Sequence, residues 1–127
     1  MTRSIHDNYV LGYAVDVEGR AIVIHTEFRD RREPFERTDI HFTGVLGYLL
    51  HDSLGGILFD IEERPLEDLV GYYGMELEHY KQYGWPWPTP LTQEQLDATS
   101  AKIFFINSSI GFDGFVVAKA MSLEAAT

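Results

Sequence analysis

The sequence predicts one α+β domain over residues 1–127: an antiparallel sheet of about six strands packed by one long and one short helix. Three observations carry this. Most of the first half alternates β-branched or aromatic residues with polar ones at period 2. Residues 65–84 place apolar residues at helical period instead. The chain, 127 residues with 45% hydrophobic and 24% charged, has the size and balance of a single globular unit.

The elements follow in order. Residues 9–17 and 20–28 flank Glu18-Gly19 and predict a hairpin, with glycine free to take positive φ. Residues 29–37 hold four arginines, three acids and Pro34, which predicts a charged loop whose arginines pair with their own acids. Residues 38–48 alternate, His51 to Gly56 predict a turn, and residues 57–61 alternate again. These four strands predict an N-terminal meander paired in sequence order.

Pro65 suits the first turn of a helix. Leu66, Leu69, Val70, Tyr73, Leu77 and Tyr80 form its apolar stripe, and Gly84 suits its end. Gly71 and Gly74 predict close approach of this helix to the sheet. The connector Gly84-Trp85-Pro86-Trp87-Pro88-Thr89-Pro90 is excluded from helix and central strand. Thr92-Gln93-Glu94-Gln95 has the form of a capping box, so a short helix runs to about Ala101. Residues 102–107 predict a strand, and Asp113-Gly114 predicts a C-terminal hairpin with residues 115–121. Residues 122–127 are expected to fray.

Charge and composition narrow the function. The net charge is −10, and residues 52–78 hold eight acids against one base, Arg64. Such a surface repels phosphate and argues against nucleic acid. It attracts a basic protein partner. Asp60, Glu62, Glu63, Glu67 and Asp68, with Trp85 and Trp87 as aromatic anchors, are the expected partner-binding residues. Absence of cysteine removes thiolate chemistry and zinc–thiolate sites. Without a signal-like start or a long apolar run, a cytoplasmic location is expected and a membrane is not. No cofactor is implied.

Motifs add little. His51-Asp52-Ser53 cannot converge as a triad, because consecutive side chains point apart. Gly55-Gly56 lacks the lysine of a phosphate loop. Glu76 and His79 stand alone where a di-iron bundle needs two such pairs. With strands paired in sequence order, His25, His41 and Asp60 share a face, an alternative reading as a small metal-binding or acid/base enzyme.

Thr38, Asp39, Phe42, Gly44 and Val45, followed by Gly56, Ile57, Phe59, Asp60, Ile61 and Glu62, form a pattern of two strands. It resembles a family of small bacterial proteins to which no activity is attached. The chain departs from that pattern at His51. A looser likeness links the small, acidic α+β chain to immunity-type proteins of toxin systems. Residues and resemblance together favour a non-enzymatic acidic interaction protein over an enzyme. The tryptophan connector or an unpaired sheet edge offers a route to a homodimer.

Overall fold

The computed structural model describes residues 4–29, 33–81 and 91–126, leaving the side chains of 80 and 81 aside. The chain is α+β. Among the described residues six strands, β1 Tyr9–Asp16, β2 Ala21–Phe28, β3 Glu36–Thr43, β4 Gly47–Arg64, β5 Lys102–Ala118 and β6 Ala120–Ala125, form one antiparallel sheet. Helices α1, Leu66–Lys81, and α2, Gln93–Thr99, lie between β4 and β5 in the chain.

The first hairpin forms as the alternation requires, with Tyr13 opposite Ile24 and Val15 opposite Ile22. Strand β3 continues the meander, Ile40 opposite Ile24. The sequence-order pairing then fails. The order across the sheet is β5-β4-β1-β2-β3-β6, so β4 neighbours β1 and not β3. The expected strand 38–48 is cut at Gly44, whose φ of 62° turns the chain out of β3. A side chain there would collide with that of Lys119. The expected turn at 51–56 is an irregularity inside one long strand, β4. The expected C-terminal hairpin is likewise absent: β5 runs through Asp113-Gly114 and pairs with β4, while β6 pairs with β3. Gly114, at φ 152°, lets β5 pass against the Leu49 carbonyl. The expected fray is strand, with Leu123 opposite Ile40.

The cut at Gly44, the lost C-terminal hairpin and the paired C-terminus share one cause. β3–β4 and β6–β5 form a paired ribbon that bends at Gly44 and Lys119, where the Lys119 N–H donates to the Thr43 and Gly44 carbonyls. Strands that bend at a corner join two packed halves of a sheet. The bend curls the sheet, so Phe42 of β3 and Phe104 of β5 meet with ring centroids 5.7 Å apart.

Inside the curl lies the main core: Ile22, Ile24, Ile40, Phe42, Leu58, Ile106, Phe112 and Val116 are all essentially inaccessible. Ile5 joins it from the N-terminal segment. A buried polar chain ties that segment in: the Asn8 amide donates to Thr26 Oγ1 at 2.9 Å, and the Thr26 hydroxyl donates to the Thr38 carbonyl at 2.6 Å. On the other face of β5, Ile103, Phe105, Phe115 and Val117 cluster with Leu66, Leu69, Tyr73 and Leu77 of α1 and Leu96 of α2. The Thr92 capping box is present in full.

Candidate functional site

The feature that stands out is a gap in the wall of the curl. Among the described residues, β1 and β4 are paired at Tyr9 and Ile57 alone. Beside that pair, Asp7 N donates to the Leu58 carbonyl and Leu58 N to the Asn8 carbonyl, each at 2.9 Å. Past Val10 the two strands part. Both carry an irregularity where they separate: a register shift between Val10 and Gly12 in β1, and another between Asp52 and Ile57 in β4. Bulges bend a strand and sharpen its twist, and here two of them meet, with Gly55 against the Val10 carbonyl.

The side chains record the missing wall. Tyr13 and Val15 stand opposite Ile24 and Ile22, on the inward face. Yet Tyr13 is 38% exposed, although its ring edge packs on Phe112 in the core at 5.4 Å. Across the gap, Tyr48 and Leu50 touch the core and are also only half-buried. The rim is apolar and open, with Leu11, Val17 and Leu54 exposed. Leu54 has φ 64° and is 99% exposed, an unusual conformation for a leucine with nothing to bury it. Two hollows mark the ends of the gap. One, about 360 Å³, is lined by Val10 to Tyr13, Asp52, Leu54 and Gly55. The other, about 150 Å³, is lined by Val15 to Val17, Arg20 to Ile22 and Val45 to Tyr48. Each end holds a fixed carboxylate: Asp16 accepts from the Gly19 N–H at 2.8 Å and Asp52 from the Gly55 N–H at 2.9 Å.

The residues singled out in the sequence fall elsewhere. His25 and His41 share the outer face of β2 and β3, each beside its own carboxylate. His25 Nδ1 lies 2.8 Å from Asp39 Oδ1, and His41 Nε2 lies 3.2 Å from Glu124 Oε2. Asp60 does not join them: it sits on β4, with β1 intervening before β2, and accepts from Asn107 Nδ2 at 2.6 Å. Among the described residues no three histidine or carboxylate side chains gather as metal ligands.

The acidic block is partly paired within itself. Asn107 Nδ2 also donates to Glu62 at 2.7 Å, Arg64 holds Glu62 and Asp68, and Glu63 faces Lys102 at 3.5 Å. The Asp68 hydrogen bond strengthens Arg64's hold on its proton. Glu67 is exposed. Trp85 and Trp87 lie outside the described residues. Glu27, which the sequence placed beside His25 on the candidate histidine face, is instead a buried carboxylate gripped by Arg29 at 3.0 Å and Arg37 at 3.2 Å. The Arg29 hydrogen bond, aided by Arg37, holds its pKa below the ordinary glutamate value. The interleaving of acids and arginines in residues 29–37 signalled such pairing, but placed its acid in the loop and not on β2.

No protein-family model, curated protein or solved structure matches the chain. No helix among the described residues is long and apolar enough to cross a membrane.

Proposed function

We propose that this chain is a non-enzymatic interaction protein that holds a basic partner at the gap between β1 and β4. The observation that carries the reading is Tyr13, an inward-facing core-contacting ring left open to solvent where the wall is missing. An apolar recess with a few fixed polar groups is the common form of a binding site. Asp16 and Asp52 at its ends, on a chain of net charge −10, favour a cationic partner. Asp60, Glu62, Glu63, Glu67 and Asp68 add to the field that speeds encounter. Neutralising a basic protein, in the manner of an immunity protein, fits this electrostatic character.

The test is fluorescence anisotropy with short peptides of matched apolar content, ending in lysine or in glutamate. The lysine peptide binds more tightly, weakens as salt rises, and loses about twofold to fivefold with Asp16→Asn or Asp52→Asn. Equal affinity for both peptides, or indifference to salt, contradicts the reading.

A further inference from the structure

We infer that the gap takes an extended strand of a basic partner, which pairs with the free edges of β1 and β4 and completes the wall. This rests on the reading of the chain as an interaction protein and specifies how the partner is held. The backbone argument is independent of charge. Among the described residues, β1 from Leu11 to Asp16 has β2 on one side and no strand partner on the other. Among the same residues, β4 from Gly47 to Asp52 has β5 on one side and none on the other. Alternate residues of each strand therefore direct N–H and C=O groups into the gap.

Such edges are normally blunted by lysine, proline or cover. The stretch Leu11-Gly12-Tyr13-Ala14-Val15 carries no charge and no proline, and neither does Gly47-Tyr48-Leu49-Leu50 facing it. Both strands are long enough to template several residues of a guest. Strand addition uses exactly such groups for affinity and the alternating side-chain recesses for selection. One face of the guest meets Tyr13, Val15, Tyr48 and Leu50, so alternate guest residues are apolar. Its flanks meet Asp16 and Asp52, so its ends are basic. A second copy of this chain, itself at −10, lacks that complementarity.

The test uses the full chain and a peptide alternating valine and threonine with lysine at both ends. Backbone N-methyl groups are placed on the residues of one parity, then the other. Hydrogen exchange on Leu11 to Asp16 and Gly47 to Asp52 slows at least about tenfold on binding, and each methylation parity weakens affinity at least about tenfold, since both edges of the guest are bonded. Sensitivity at one parity only, or at neither, overturns insertion while leaving a basic-partner role standing. Absence of binding by lysine-ended and glutamate-ended peptides alike overturns both. A glutamate-ended peptide that binds equally well, with both parities sensitive, supports insertion and overturns the charge preference. Protection of the same amides by self-association in the peptide's absence overturns the basic guest in favour of a second copy. Leu54→Asn, at an exposed site outside the core, removes an apolar rim contact without adding charge; it weakens the peptide several-fold and does not lower the unfolding transition.

Discussion

Tyr73 of α1 seats its ring in the cluster on the outer face of β5. Its ring packs on Phe105 and Phe115 at 5.6 and 5.1 Å. Burial, with the charges of Asp113 and Glu76 adding to it, pushes its pKa from 10.0 up to about 12. The neutral form is thus the one that the fold prefers. The stabilisation is complete below pH 10, the unfolded value, and is lost as pH rises from 10 to about 12. Alkaline unfolding of Tyr73→Phe, followed by circular dichroism, begins at higher pH than that of the parent. Glu27 has the opposite sign. Its depressed pKa contributes stability that is complete above the ordinary glutamate value and is lost as pH falls below that value, toward the folded one. Glu27→Gln flattens the acid limb of the stability curve and lowers the melting temperature at neutral pH. Leu54 is strained without a packing reason, since its φ of 64° suits asparagine better. Leu54→Asn raises stability by about 0.5–1 kcal/mol in denaturant titration and weakens binding at the gap.

At the scale of elements, local chemistry was legible and long-range geometry was not. The β1–β2 hairpin, the start of α1 at Leu66 and the Thr92 cap all rest on residues close in sequence and stand where expected, except that the hairpin turn takes its positive φ at Arg20 and not at Gly19. The ends of β3 and β5 depended on contacts across the sheet. Nothing near Gly44 announces a corner, because alternation continues through it; its positive φ answers to Lys119, far along the chain. Asp113-Gly114 has hairpin chemistry but serves a close pass at Leu49. Gly71 and Gly74 mislead in the other direction. A Cβ at either meets nothing within 4 Å, so they do not serve close approach to the sheet. Replacing each with alanine therefore stabilises by about 0.5–1 kcal/mol, read by thermal unfolding. Gly44→Ala destabilises by at least about 1–2 kcal/mol, from left-handed strain plus the collision with Lys119.

For the whole molecule, alternation and charge predicted an antiparallel sheet with an acidic surface, and the curl of that sheet came only with the structure. The site was hidden because it is made by an absence of pairing. Tyr13 reads as an ordinary strand residue until β4 is seen to turn away from it. His25 and His41 were legible as neighbours on one face, and Asp60 was lost to them when β1 came between. The acidic block kept its charge, yet Arg64, Asn107 and Lys102 organise part of it from within. What distinguishes this molecule is a sheet curled at the Gly44–Lys119 corner and left unzipped between its first and fourth strands. Residue-resolved hydrogen exchange of the free protein tests that most directly. The account predicts that alternate amides of Leu11 to Asp16 exchange fast while those bonded to β2 are protected, and that all of them are protected once a lysine-ended strand peptide is added. Uniform protection of β1 in the free protein would show the wall already closed and would contradict it.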